Sequence, residues 1–202
     1  MKKLILGAVA MSLLASSVAC ASPLKSLEQG KAKIDASLSL SPSLKGEYKG
    51  ATSDLDGKTR YRFGATYGLG NHLGLDYVYA AHAGDYDSSV QSHQLNLLYQ
   101  FNPNIAGFAG YVHNRGKWGG WDNSTNGYQI GVQGRMDLAE RTSAWAKFGI
   151  GNTITQYEIG LGYDLTSNLE ANLTYNDTKY KDFDHDVDYK THGINLGVTY
   201  KF

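Results

Sequence analysis

The sequence predicts an all-β fold, a closed antiparallel barrel of about ten strands, with eight to twelve as the range. Three observations support this prediction. Apolar residues recur with a period of two, and stretches with helical spacing are scarce. The composition is rich in glycine and tyrosine and poor in proline, with 24 Gly, 15 Tyr and 3 Pro. The links between the patterned segments alternate between short turns and longer polar loops.

Residues 1–21 have the pattern of a secretory signal peptide. A basic start is followed by an apolar stretch and by a small-residue cleavage site that ends at Ala21. We therefore expect export through the Sec pathway with cleavage near Ala21, which leaves a β-barrel domain of residues 22–202. The alternative that stays open is a lipoprotein acylated on Cys20.

Charge and hydropathy exclude several classes of protein. The chain carries 19 basic and 19 acidic residues, so no basic excess predicts a nucleic-acid partner. No stretch after residue 21 is long and apolar enough for a transmembrane helix. The single cysteine lies in the predicted signal peptide, so we expect the mature domain to be stabilised by burial and hydrogen bonds without disulfides.

The first five predicted strands show alternation of unequal quality. The segment 31–49 is unusually long, and Pro42 is expected to break it. Alternation is weakest in the fifth segment, where Phe108 and Val112 lie off the apolar face. The five segments are 31–49, 58–69, 73–83, 91–101 and 105–115.

The other five predicted strands alternate more regularly. In the sixth, Tyr128, Ile130 and Val132 lie opposite glutamine and glycine residues. The last segment continues the same pattern to the final residue of the chain. These segments are 126–138, 143–151, 154–164, 168–180 and 189–202.

The links between strands differ at the two ends of the predicted barrel. Short turns are predicted at 68–72, 102–104, 138–142 and 166–168. Longer polar loops are predicted at 50–57, 84–90, 117–126 and 181–188, with the link near Gly151 as an exception. This asymmetry is typical of outer-membrane barrels, which have short periplasmic turns and longer extracellular loops.

The polar face of the predicted strands suits an enclosed lumen. It consists of Gly, Ser, Thr, Asn and Gln with isolated charges of both signs, whereas a soluble barrel would present many Lys and Glu to water. The opposite face is rich in Tyr, Leu, Ile, Val and Ala, which suits contact with lipid. We expect the lumen-facing residues to form an internal salt-bridge network. They are Arg60, Arg62, Asp76, Gln133, Arg135, Asp137, Lys147, Glu158, Asp164 and Glu170.

The C-terminal strand resembles that of bacterial outer-membrane β-barrel proteins, especially the small OmpA/OmpX-like and ten-stranded YfaZ-like barrels. The resemblance rests on the assembly signal Ile194, Leu196, Val198, Tyr200 and Phe202. It implies a multi-pass barrel in the bacterial outer membrane. The implied partners are the barrel assembly machinery, periplasmic chaperones, outer-membrane lipid and lipopolysaccharide.

No motif predicts catalysis, a metal site or a cofactor. The acidic stretch 182–188 lacks the glycine and glutamate of a calcium-binding EF-hand loop, although loose binding of a cation there stays open. None of the six histidines stands two residues before a serine, as a hydrolase built on one strand would favour. We therefore predict no enzymatic activity.

The sequence leaves three functions open. The leading prediction is a porin-like barrel with a narrow or plugged lumen for ions or very small solutes. The second is a structural or surface-interaction barrel without transport, active in adhesion or lipopolysaccharide contact. The third is a soluble secreted β-barrel that binds a ligand.

Overall fold

Alternating apolar and polar residues form one continuous antiparallel sheet in the computed structural model, which describes residues 22–183 and 187–202. The sheet contains twelve strands within these residues. They are β1 (Ala32–Ser39), β2 (Ser43–Tyr48), β3 (Ala51–Asp54), β4 (Thr59–Gly70), β5 (Leu73–Ala83), β6 (Ser89–Asn102), β7 (Ile105–Trp118), β8 (Trp121–Ala139), β9 (Thr142–Gly151), β10 (Ile154–Asp164), β11 (Leu169–Phe183) and β12 (Val187–Lys201).

Ten of these strands close into a barrel. The order runs β1, then β4 to β12, and β12 pairs back onto β1. At this seam Ile34 lies opposite Tyr200 and Leu38 lies opposite Leu196. Closure removes the sheet edges, as a membrane-spanning sheet requires. The predicted ten-stranded antiparallel barrel is confirmed.

The first predicted strand is divided in two. β1 ends at Ser39 and β2 begins at Ser43, so the interruption contains Pro42 as expected. β2 pairs with the part of β12 that lies beyond the end of β1, and the chain then turns back to form β3. The expectation of a plain loop at 50–57 is therefore wrong in part, because Lys49 and Gly50 both have positive φ and form a tight hairpin turn.

The two ends of the barrel differ in their connections. We call the end with the links 71–72, 103–104, 140–141 and 165–168 the turn end, and the opposite end the loop end. Every link at the turn end has four or fewer residues, in agreement with the predicted short turns.

Strands at the loop end extend further than the sequence predicts. The stretch 117–126 was expected to be the longest loop, but only Gly119 and Gly120 lie outside β7 and β8. Both glycines have positive φ, which closes a two-residue hairpin turn and lets the strands continue to Trp118 and from Trp121.

The neighbouring wall is lower at the loop end. β9 and β10 are joined by two residues, Asn152 and Thr153, and the first β8–β9 pair is Gln129 with Gly151. Residues 121–128 of β8 therefore pair with β7 alone and rise above the β9–β10 turn.

The outer surface is apolar and carries aromatic rings in two bands. The band near the loop end contains Tyr61, Tyr79, Tyr111, Tyr128, Tyr157 and Tyr175. The band near the turn end contains Tyr67, Tyr99, Phe101, Tyr163, Tyr200 and Phe202. Such bands mark the two membrane interfaces of an outer-membrane barrel. None of the described residues belongs to a helix long and apolar enough to cross a bilayer.

Candidate functional site

The interior near the turn end is held by a buried carboxylate, Glu170. Arg135 donates to it at 3.0 Å and Lys201 at 2.6 Å, and Ser22 also bonds it. Lys201 reaches Asp164 at 2.7 Å as well. The side chain of Glu170 is 0% exposed, so its charge is balanced entirely by groups within the barrel.

A second ionic layer lies further inside the barrel. Arg62 pairs with Glu158, and Lys147 lies 3.5 Å from Asp76. Asp76 also accepts hydrogen bonds from Thr66 at 2.9 Å and from an asparagine side chain at 3.2 Å. These groups satisfy each other's charges without bulk water.

Above the ionic layer, three glutamines from β6, β8 and β10 join across the lumen. Gln129 donates to Gln94 at 3.0 Å, and Gln156 donates to Gln129 at 2.9 Å and to Gln94 at 3.0 Å. Gln129 also donates to Asn96 at 2.8 Å. All four amides are buried, so this amide layer crosses the centre of the barrel.

An apolar cluster, which we call the apolar cap, fills the interior at the loop end. Tyr180 packs within it and bonds His82 at 3.2 Å. Its members come from β2, the β3–β4 link and five further strands. They are Leu44, Leu55, Val90, Val112, Ile154, Tyr180, Phe183 and Tyr189.

The segment 22–29 enters the barrel at the turn end. Leu27 is buried against Leu98 and Phe108. The backbone of this N-terminal segment is tied to Gln100, which accepts from the Leu27 amide at 3.0 Å and donates to the Lys25 carbonyl at 2.9 Å. The segment therefore covers the turn end from inside.

Little space remains between the layers. The cavity among the charged residues has a volume of about 20 Å³, and Pro23 of the N-terminal segment forms part of its wall. A single water needs roughly 10–15 Å³ measured in this way. The cavity is therefore the size of about one water molecule.

The structure brings most of the predicted lumen residues together inside the barrel. Arg60, Asp76, Gln133, Arg135, Lys147, Glu158 and Glu170 are buried, and Arg62 is nearly so. Asp164 is half-buried. Asp137 is half-exposed at the turn-end rim, where it pairs with Lys25 at 2.7 Å, because β8 ends there.

The fold agrees with a comparison of sequences. A family model described as the outer membrane protein beta-barrel domain matches residues 11–202. The chain belongs to this family.

As an outer-membrane β-barrel, the protein has its turn end in the periplasm and its loop end outside the cell. This membership supports the predicted bacterial outer-membrane location. The predicted signal peptide lies outside the described residues, and its cleavage stays a prediction.

Solved structures similar to this barrel include a protease and a surface protein of the outer membrane. The outer membrane protease OmpT from Escherichia coli aligns with a TM-score of 0.56 and 12% identity, covering 86% of this chain and 97% of that one. Neisserial surface protein A aligns with a TM-score of 0.46 and 15% identity, covering 86% and 100%. At 12% identity the likeness to OmpT shows the barrel fold alone. None of the curated proteins compared with it matches in sequence.

The C-terminal residues of this outer-membrane barrel lie on its outer face at the seam. Tyr200 and Phe202 pack edge to face with centroids 4.8 Å apart, and the Phe202 amide donates to the Ala32 carbonyl at 2.9 Å. Ile194, Leu196 and Val198 continue the same face along β12. Their role as an assembly signal stays a prediction.

Sequence reasoning missed the amide layer and the apolar cap. Gln129 and Gln156 occupy polar-face positions of their strands, but this pattern does not identify them as partners across the lumen. For the cap a signal was present, because Val112 and Tyr180 occupy polar-face positions of their strands. Among the described residues, no group of three or more His, Cys, Asp or Glu is arranged to hold a metal. Positions 184–186 of the acidic stretch lie outside the described residues.

Proposed function

We propose that this protein is the plugged form of a porin-like barrel, an integral outer-membrane component whose lumen is closed to solutes and which has no enzymatic activity. The observation that carries the proposal is the succession of barriers along the axis. The N-terminal segment, two ionic layers, the amide layer and the apolar cap follow one another.

The apolar cap supports closure toward the outside most directly. Val90, Val112 and Ile154 are 0% exposed, so water does not reach the inner wall at this level. An ion that crossed this layer would lose its hydration without a polar partner, which costs several kcal/mol. The cap is therefore a barrier independent of the N-terminal segment.

The internal ion pairs support a structural role for the charged residues. Each carboxylate of the ionic layers has a cation or hydrogen-bond donor within the barrel, as Glu158 has Arg62 and Asp76 has Lys147. A general acid or a nucleophile needs a neighbouring space for its substrate, and only about 20 Å³ is available among these groups.

Conductance in planar lipid bilayers tests the proposal. Refolded protein of residues 22–202 should show no discrete openings, while a wide porin inserted in the same bilayer provides the positive control. Removal of residues 22–29 alone should stay silent because the cap remains. Discrete openings of the unchanged protein would contradict the closed lumen.

A further inference from the structure

A separate cavity opens at the loop end, above the apolar cap. Its volume is about 370 Å³, within the usual range for small-molecule pockets of roughly 300–1,000 Å³. It lies between the tip of the β7–β8 hairpin, the end of β11, the start of β12 and β2. Five aromatic side chains line it, which are Tyr48, Trp118, Trp121, Phe183 and Tyr189.

The cavity is reached from outside the membrane. On β8, Trp121 lies seven residues before Tyr128, which belongs to the aromatic band near the loop end. Seven residues of strand span about 23 Å along its direction, or roughly 16 Å along the membrane normal at a tilt near 45°. Beneath the cavity the apolar cap closes the lumen, so a molecule that enters from the medium remains at the mouth.

Glycines fix the rings that form the walls. The Trp118 ring lies on Gly46, where a β-carbon would come within 2.7 Å of it. Tyr189 and Phe183 likewise lie on Gly116, where a β-carbon would come within 2.6 Å of the tyrosine ring. These last two rings are buried and pack edge to face with centroids 5.1 Å apart. These three rings are therefore in place before any ligand binds, which reduces the entropy cost of binding.

The lining carries no formal charge among the described residues, and Asn123 is its one side-chain amide. Lys49 Nζ lies 5.3 Å from the centroid of the Tyr48 ring, and two further groups of ions near the hairpin tips are paired with each other. Arg115 donates to Asp122 at 2.8 Å, and Lys179 lies 2.9 Å from Asp188. A charged group placed among the described lining side chains would lose hydration without gaining an ionic partner from them. A sugar would bury several hydroxyl groups against one amide, which leaves hydrogen bonds unmade.

We propose that this cavity binds a small uncharged aromatic molecule of one or two fused rings at the outer surface of the cell. Planar rings match the walls, since aromatic groups prefer offset-stacked or edge-to-face contacts with other rings. The cavity shares Phe183 and Tyr189 with the apolar cap, whereas Tyr48, Trp118 and Trp121 belong to this site alone.

Calorimetric titration of the mature protein in lipid nanodiscs with 2-naphthol tests the proposal. Empty nanodiscs measure partition of the probe into lipid. We expect one saturable site, at least tenfold weaker binding of 2-naphthoate, and no binding of methyl glucoside. The naphthoate keeps the fused rings and adds a charge, whereas the glucoside keeps neutrality and removes the planar ring.

Variants of the hairpin tip locate the site. Trp118→Ala and Trp121→Ala should each weaken 2-naphthol binding at least tenfold. The Trp121 ring is exposed at the hairpin tip, so we expect Trp121→Ala to fold. This variant therefore tests the site even if Trp118→Ala fails to fold. Tyr86→Ala is the matched control, because this exposed ring lies at the same end and does not line the cavity.

Three results would overturn the proposal. The first is heat no greater than that of empty nanodiscs. The second is binding of 2-naphthoate or methyl glucoside as tight as that of 2-naphthol. The third is unchanged affinity in the folded Trp121→Ala variant.

Discussion

Arg135 on β8 donates to Glu170 on β11 at 3.0 Å, although β9 and β10 separate these strands in the wall. The ion pair therefore crosses the interior of the barrel. It joins two strands that share no backbone hydrogen bonds with each other. Lys201 on β12 completes the group at 2.6 Å from the same carboxylate.

We expect Glu170→Gln to lower the free energy of unfolding by about 3 kcal/mol, because removal of one partner leaves buried charges uncompensated. The measurement is urea unfolding in lipid vesicles, followed by the heat-dependent gel shift of the folded barrel. The matched control is Lys58→Gln, which removes an exposed ion pair with Asp85 and should leave the unfolding midpoint nearly unchanged. Equal effects of the two variants would contradict a structural role for the buried network.

The N-terminal segment depends on Gln100 at the turn end. Gln100→Ala removes the acceptor of the Leu27 amide, and one hydrogen bond is worth roughly 1 kcal/mol. We expect hydrogen exchange of that amide to accelerate about fivefold. Asn102→Ala provides the control, since Asn102 accepts from its own turn at Asn104. Unchanged exchange in Gln100→Ala would show that this bond does not hold the segment.

The contribution of the final residue, Phe202, to assembly can be distinguished from that of other rings in the turn-end aromatic band. Phe202 and Phe101 are 61% and 63% exposed, and both lie in the turn-end aromatic band. If the C-terminal ring is read during assembly, Phe202→Ala should reduce the folded fraction in the outer membrane several-fold, while Phe101→Ala should reduce it little. Cell fractionation with a heat-dependent gel shift measures both. Equal losses would reduce Phe202 to an ordinary interfacial ring.

The tip of the β7–β8 hairpin should respond to strong acid. The hydrogen bond from Arg115 lowers the pKa of Asp122 from 3.8 to about 2. A lowered pKa in the folded state means that the stabilisation is complete above pH 4 and is lost as the pH falls toward 2. Tryptophan fluorescence from the tip should therefore change between pH 4 and pH 2. The change should be absent in Asp122→Asn, and its persistence there would assign it to another group.

Alternation along the strands predicted the closed barrel because each side chain of a strand must face one of two media. It also assigned Arg135 and Glu170 to one face before any contact between them was known. It could not pair them, since a partner across the lumen depends on strand tilt and register as well as on face. The same limit hid the amide layer of Gln94, Gln129 and Gln156.

The apolar cap was missed because period two identifies a face and not the medium that the face meets. Val112 and Tyr180 point into the barrel although their side chains are apolar. This orientation is favourable because the barrel interior excludes water at the level of the cap. The N-terminal segment has no period at all. Its position is set by Leu27 meeting Leu98 and Phe108, which are distant in sequence.

The seam between β1 and β12 governs how late the barrel can form. The Ser39 hydroxyl donates to the Ile194 carbonyl across a separation of 155 residues in the chain. Contacts of such separation require a large loop to close before they contribute any stability, so they form slowly. Neighbouring hairpins can assemble early. Until the first and last strands pair, however, the chain is an open sheet with two unpaired edge strands. The polypeptide is vulnerable to aggregation and proteolysis for as long as this open sheet persists.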